Sequence, residues 1–115
     1  MPSDCMFCKI AAGESDGRVI YQDELTIAFW DIHPAAPVHI LIVPKKHINS
    51  MNEVSAEDEA LLGHLLLVAK QIAQAQGVSE SGYRLSINTG PDAGQSVFHI
   101  HVHLMAGKAL PIHSR

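Results

Sequence analysis

Three of the eight histidines stand at alternate positions near the end of the chain. They are His99, His101 and His103, in the run Val97-Phe98-His99-Ile100-His101-Val102-His103-Leu104-Met105. Read as one strand over 97–105, this run sends Phe98, Ile100, Val102 and Leu104 to one face, into a core. The three histidines go to the other face. Neighbouring imidazoles then lie about 6.7 Å apart at Cα, and the outer pair about 13 Å. A His-x-His pair can share one zinc ion, but that span is too long for all three. Chemistry at phosphorus suits the row better. Imidazole is neutral near pH 7, so one ring can offer its lone pair to phosphorus while a neighbour holds the developing negative charge. A merely solvated face has no need of histidine, because serine, threonine or lysine serve as well.

The residues leading into the row fit an anion. Gly94-Gln95-Ser96 follows a turn-rich stretch, Gly90-Pro91-Asp92-Ala93. Glycine lets backbone N–H groups approach a phosphate, and Ser96 adds a hydroxyl beside the histidines. Two further residues are ambiguous. His39 lies in an apolar run and needs a partner there. Asn88 is either a structural cap or a substrate contact. At the other end, Cys5 and Cys8 stand three apart. On a helix both sulfurs share a face and can meet one ion, but zinc wants four nitrogen or sulfur ligands, so two remain to be found. Thiol redox chemistry of the thioredoxin kind needs a strand before the pair, and none precedes Cys5.

The elements that must position these groups read as an α+β domain spanning 1–115, with a core over about 5–105 and a tail over 107–115. Asp4 can cap a short helix from Cys5 to about Ala12, ended by Gly13. Val19 to Gln22 and Leu25 to Trp30 read as a hairpin turning at Asp23-Glu24. Pro34-Ala35-Ala36-Pro37 is a loop. Val38 to Val43 is a buried strand, on which His39, Leu41 and Val43 share a face. Ser55 opens a long helix that runs to about Gln76, with Gly77 beyond it. Leu61, Leu62, Leu65, Leu66, Val68, Ala69, Ile72 and Ala73 cover about 160° of that helix, wider than one small sheet requires. The helix is therefore either deep in a core or packed on its own sheet and a second subunit. Arg84 to Thr89 is a further strand.

The 115 residues are 47% hydrophobic, with Lys+Arg 8 against Asp+Glu 12 and a net charge of -4. That is globular rather than disordered, and too acidic to favour a nucleic-acid backbone. No stretch approaches the roughly 20 apolar residues of a membrane span. The polar start Met1-Pro2-Ser3-Asp4 argues against a signal peptide, so the cytoplasm is the expected compartment, with Cys5 and Cys8 reduced or metal-bound.

At this point the residues resemble a known family. His99-Ile100-His101-Val102-His103-Leu104-Met105 has the His-φ-His-φ-His-φ-φ signature of the histidine triad (HIT) proteins. The likeness runs from Phe7 to about Met105. It takes in Ala28-Phe29-Trp30-Asp31-Ile32, His39-Ile40-Leu41-Ile42-Val43-Pro44-Lys45-Lys46-His47, Leu61-Leu62-Gly63-His64 and Gly94-Gln95-Ser96-Val97-Phe98-His99. These look like the Hint branch, whose members hydrolyse nucleoside phosphoramidates.

The resemblance implies an α+β HIT-like fold, a five-stranded antiparallel sheet with one long and one short helix. It implies a homodimer joined through the long helix and the strand beside it, giving a ten-stranded sheet. His101 would be the nucleophile that takes the nucleoside monophosphate, His103 would contact the phosphate, and His39 would orient His101 from behind. Ser96 would hold or protonate the leaving amine. Asn88, Gln95 and the backbone at Ser96 and Val97 would hold the phosphate, and Asp31 the ribose hydroxyls. Phe7, Ile10, Phe29, Ile32 and Leu41 would line a base pocket for a purine nucleotide. Cys5 and Cys8 would bind a structural zinc ion with His47 and His99, leaving His101 and His103 for chemistry.

Two other activities fit the same motifs: cleavage of dinucleoside polyphosphates, as in the Fhit-like branch, and nucleotide binding with little turnover. The chain departs from its relatives in the tail. Several of them carry a tail tryptophan beside the active site, whereas the single Trp here is Trp30.

Overall fold

The computed structural model describes residues 5–14 and 17–111. Its helices are α1 (Met6–Ala11) and α2 (Glu59–Ala75). Its strands are β1 (Val19–Gln22), β2 (Thr26–Trp30), β3 (Val38–Pro44), β4 (Tyr83–Ser86) and β5 (Val102–Ala106). Every strand pair is antiparallel, in the order β1-β2-β3-β5-β4. The α+β architecture expected from the sequence is therefore present.

Period two divides the buried strands between two faces. Ala28, Ile40, Ile42, Val102, Leu104 and Ala106 pack against Leu65, Val68, Ala69, Ile72 and Ala73 of α2. On the opposite face Ile27, Phe29, Leu41 and Val43 pack against Phe7 and Ile10 of α1. His39 and His103 share this second face, because β3 pairs Leu41 with His103 and His39 with Met105. The sheet uses only part of the apolar stripe of α2. Leu66 is 47% exposed and Leu67 59%, while Leu61 and Leu62 are half-buried.

The ends of the helices follow local chemistry. Asp58 closes the turn before α2 by accepting the Ser55 N–H at 3.0 Å, and Gly77 leaves the helix with φ +73. The N-cap of α1 is Cys5, whose sulfur accepts the Cys8 N–H; Asp4, the expected cap, lies outside the described residues.

Two strands are shorter than the sequence pattern implies. The expected strand over 97–105 begins only at Val102. The register ends at Ile42 and Val102; continued by two residues it would set Ile100 against Pro44, which has no N–H to donate. Its carbonyl is taken by the His99 Nε2–H at 2.7 Å, and the Ile100 N–H turns instead to the Ile48 carbonyl at 2.7 Å. Alternation therefore fails before Val102. Phe98, expected in the core, is 53% exposed, and His99 is fully buried. The strand expected over Arg84 to Thr89 ends at Ser86, so Asn88 lies beyond β4.

Asp23 ties the β1–β2 hairpin to α2. One carboxylate oxygen accepts the Leu25 and Thr26 N–H groups, both at 2.8 Å. The other accepts the Tyr21 hydroxyl and the His64 Nε2–H, both at 2.7 Å. Burial alone would push this carboxyl up; the four donors outweigh it and hold the carboxyl well below the usual carboxylate range. A lowered folded-state pKa means stability that is present above the unfolded value near 3.9 and lost as pH falls through that range. Asp23→Asn turns an amide against two donors. It is expected to lower Tm at pH 7 by about 5–10 °C, from about 1–2 kcal/mol of lost charged hydrogen bonding. Thermal melts from pH 7 to pH 3 check this, because the deficit of the variant must shrink below about pH 4.

Candidate active site and thiol–imidazole centre

Backbone partners assign the ring nitrogens, since a peptide N–H can only donate and a carbonyl can only accept. His101 Nδ1 lies 2.7 Å from the His99 carbonyl oxygen, so Nδ1 carries the proton and Nε2 keeps its lone pair. His39 Nδ1 accepts the Ala35 N–H at 3.0 Å, so its Nε2 is a donor. That donor lies 3.0 Å from His103 Nδ1 and 3.4 Å from Asp31 Oδ2. His103 therefore accepts at Nδ1 and presents an N–H at Nε2. The rings of His101 and His103 are 4.9 Å apart between centroids. One offers a lone pair and its neighbour offers a donor. Burial pushes the His101 imidazole down, and burial with the neighbouring His101 and His39 pushes His103 down to about 4. Both rings are thus uncharged near pH 7.

His39, expected behind His101, stands behind His103 instead. The strand register explains the correction. His39 faces Met105, and its nearest same-face diagonal neighbour on β5 is His103, while His101 lies a further step away and before the strand. The orienting group of His101 is the His99 carbonyl, which no side-chain pattern reveals.

The second cluster joins Cys5, Cys8, His47 and His99, whose ligand atoms all lie within 4.8 Å of one another. His99 Nδ1 is 3.3 Å from Cys5 Sγ and 3.4 Å from Cys8 Sγ, and His47 Nδ1 is 3.2 Å from Cys8 Sγ. The outer nitrogens are both committed as donors, His99 Nε2 to the Pro44 carbonyl and His47 Nε2 to Asn49 Oδ1, each at 2.7 Å. Both imidazoles therefore turn an unprotonated Nδ1 toward the two sulfurs. This is the tautomer that a metal ligand requires, with the outer hydrogen bonds that ligating histidines make. Burial, with Cys5 beside it, pushes the Cys8 thiol up to about 11, and burial pushes His99 down to about 4. Two thiols and two imidazole lone pairs form a four-ligand group suited to a dication that would draw off the thiol protons.

The remaining expected contacts divide between clefts and core. A cleft of about 410 Å³ is lined by His39, His103, Asn88 and Ser86 among others, so Asn88 faces the same space as His103. A second cleft, of about 370 Å³, has Ser96, Val97, His47, Cys5, Met6 and Phe98 in its wall. Asp31 accepts the His33 N–H at 2.8 Å through one oxygen and turns the other toward His39. Ile32 is 73% exposed, whereas Phe7, Ile10, Phe29 and Leu41 are nearly closed off in the cluster under α1. Phe7 sets its edge against His101, with centroids 5.1 Å apart and planes at 89°.

The side chain of Gln95 is engaged within the protein. Its carbonyl accepts the Gly90 N–H at 2.9 Å, and its amide donates to the Asn49 carbonyl at 2.7 Å and the Val97 carbonyl at 3.1 Å. It braces the loop before the histidines. Gln95→Ala leaves one donor and two acceptors unpaired, so a loss of about 1–3 kcal/mol is expected in urea unfolding.

Comparison with known proteins agrees with this arrangement. The HIT domain pattern matches residues 12–110. An uncharacterized HIT-like protein of Synechococcus elongatus is 50% identical over 110 residues, 96% of each chain. A purine nucleoside phosphoramidase of Escherichia coli is 47% identical over 110 residues, 96% of this chain and 92% of its own. The crystal structure of a HIT family hydrolase from Legionella pneumophila superposes with a TM-score of 0.92 at 49% identity, covering 94% of this chain and 96% of that one. A histidine triad protein from Clostridium difficile gives 0.95 at 41% identity, covering 99% of both chains. Residues 12–110 carry every strand, α2 and all three histidines of the row, and a match over that span makes the chain a member of the histidine triad (HIT) family.

Proposed function

We propose that the protein hydrolyses purine nucleoside 5′-phosphoramidates, releasing the nucleoside monophosphate and an amine through a covalent intermediate on His101. The observation that carries this reading is the 2.7 Å bond from His101 Nδ1–H to the His99 carbonyl, which leaves Nε2 unprotonated beside the N–H of His103. The E. coli relative named a purine nucleoside phosphoramidase and the L. pneumophila HIT family hydrolase support the reaction class.

In the first step the Nε2 lone pair of His101 attacks phosphorus and the P–N bond to the amine breaks. The amine nitrogen gains a proton from the Ser96 hydroxyl, which takes one from water. His103 Nε2–H donates to a phosphoryl oxygen, and an uncharged ring suits that task better than proton release. In the second step water attacks phosphorus, the bond to Nε2 breaks with its electron pair returning to the ring, and the phosphate leaves with the water oxygen, while the proton this water sheds replaces the one drawn from water in the first step. Splitting one difficult displacement into two easier ones is the gain from the covalent route. Asn88 and the backbone at Ser96 and Val97 would hold the phosphate, and Asp31 the ribose hydroxyls. Ile32, which is exposed, would meet the base, with the buried Phe7, Ile10, Phe29 and Leu41 as the apolar backing of the pocket behind it.

Cys5, Cys8, His47 and His99 would hold a structural zinc ion, fastening α1 to the sheet. The uncovered leucines of α2 and the edge position of β4 support a homodimer with a continuous ten-stranded sheet. The cytoplasm is the compartment this reading expects; separately, among the described residues no helix is long and apolar enough to cross a membrane.

The test supplies adenosine 5′-monophosphoramidate and a diadenosine polyphosphate in parallel and follows AMP release. Preferred cleavage of the phosphoramidate is expected. Preferred cleavage of the polyphosphate moves the assignment to dinucleoside polyphosphate hydrolysis. AMP binding with neither cleaved leaves a nucleotide-binding module.

A further inference from the structure

We propose that the thiol–imidazole centre sets the orientation of His101, and so the rate of the chemical step, through two contacts that both begin in it. The inference rests on the reading of His101 as nucleophile. The first contact is His99. Its Nδ1 belongs to the centre, and its own carbonyl oxygen accepts the His101 Nδ1–H. Whatever fixes the His99 side chain also fixes the peptide that assigns the His101 tautomer. The second contact is Phe7, which sits on α1 between Cys5 and Cys8. Its ring meets His101 edge-on at 5.1 Å and His99 at 6.0 Å between centroids.

The helix that carries Phe7 has six residues. A helix below about 12–15 residues has little stability of its own, so the position of α1 depends on what holds it. Its holdings are the apolar cluster with Phe29 and Leu41 and the two cysteines. A dication bound by Cys5, Cys8, His47 and His99 would join α1 to the segments carrying His47 and His99, leaving the Phe7 edge and the His99 carbonyl one fixed arrangement. Without it both contacts can relax while His103 stays where β5 puts it and Asn88, two residues past β4, still faces the same cleft. The centre therefore acts on the chemical step more than on nucleotide binding, whose phosphate contacts at Asn88 and His103 do not pass through it. Misplacing a reacting group by about 1 Å can cost on the order of a hundredfold in rate.

The test starts from protein whose metal content has been counted by mass spectrometry, before and after treatment with a chelator. Three quantities are read: the ¹⁵N shifts of the His101 ring, the Kd of AMP, and the single-turnover rate with adenosine 5′-monophosphoramidate. On chelation His101 is expected to pass from one Nδ1–H tautomer to a mixture. The rate should fall about ten- to a hundredfold, further than the AMP affinity, and zinc should restore both the rate and the single tautomer. Phe7→Leu, which keeps all four ligands, carries the test if the chelated protein unfolds. It is expected to hold metal as the wild type does and to react about tenfold more slowly, with the rate falling further than the AMP affinity. A wild-type rate and an unchanged His101 tautomer in Phe7→Leu and after chelation overturn the proposal. So does a Phe7→Leu variant that loses AMP affinity at an unchanged rate, since Phe7 then acts only through the base pocket. A tautomer change with no change in rate upholds the link between centre and ring and instead removes His101 from the chemistry.

Discussion

His101→Ala is expected to lose turnover of adenosine 5′-monophosphoramidate by a factor of about 10⁴ or more, with AMP still bound within about threefold of wild type. The size follows from the role. A group that forms the covalent intermediate has no substitute once its lone pair is gone, whereas a group that only donates to the phosphoryl oxygen leaves other donors in place. His103→Ala should accordingly cost less, about 10²–10³-fold, the range seen when one preorganised donor is removed. Binding is spared because Asn88 and His103 line the cleft independently of His101. His101 is buried against Phe7, so its removal opens a space in the packing, and circular dichroism must show the variant folded before the rates are compared. Intact-mass measurement after an alkaline denaturing quench, which spares an acid-labile P–N adduct, gives the complementary result. A nucleotidyl adduct should appear on the wild type and on His103→Ala, and be absent from His101→Ala. Turnover in His101→Ala within tenfold of wild type would sink the nucleophile assignment, and the weaker effect of His103→Ala sets the scale against which it is judged.

Much of the fold is legible because apolar periodicity reports burial directly. The continuous run that forms β3 has room on both faces, and the structure fills both, with α2 over Ile40 and Ile42 and α1 over Leu41 and Val43. The wide stripe of α2 is equally direct, since the sheet covers Leu65, Val68 and Ala69 and leaves Leu66 open. The failure at 97–101 has a different origin. Period two holds only while the backbone is in a ladder, and whether it is depends on the partner strand. Pro44, some fifty positions earlier in the chain, withholds the donor that Ile100 would face. Nothing in the local pattern announces that pairing, so Phe98 reads as core and stands in solvent.

The site shows the same division. Side-chain types and the family resemblance pick out the histidines, both cysteines and Asn88. Their working arrangement depends on backbone groups, which every residue carries and no composition distinguishes. The Ala35 N–H fixes His39, the His99 carbonyl fixes His101, and the Pro44 carbonyl turns His99 toward the sulfurs. The partner of His39 likewise follows from strand register, a long-range property. Gln95 stands among the phosphate contacts because of its place in a glycine loop, yet three backbone groups of that loop already occupy its amide.

Chelation of the wild-type protein is expected to lower Tm by about 15–25 °C, the second large effect. The four ligands come from three separate segments, at 5–8, 47 and 99, so one ion would cross-link α1, the loop after β3 and the approach to β5. A ligand held by the folded chain alone stabilises it by about 4 kcal/mol at a thousandfold excess over its Kd. For a chain near 100 residues each kcal/mol moves Tm by about 4–8 °C. The loss stays short of complete unfolding, unlike that of a zinc finger, because the α2 side of the sheet has its own apolar core. Differential scanning calorimetry with and without chelator measures the shift. Cys8→Ser should reproduce most of it without chelator, since Cys8 is buried and its sulfur lies near both imidazoles. Hydrogen exchange then locates the change. Amides of α1 should lose protection most, while those of β3 and α2 remain the best protected, slowed only by the lower global stability. If Tm moves by less than about 3 °C, below what one kcal/mol produces, the cluster of Phe7, Ile10, Phe29 and Leu41 is holding α1 unaided, and the four ligands contribute no more than their hydrogen bonds.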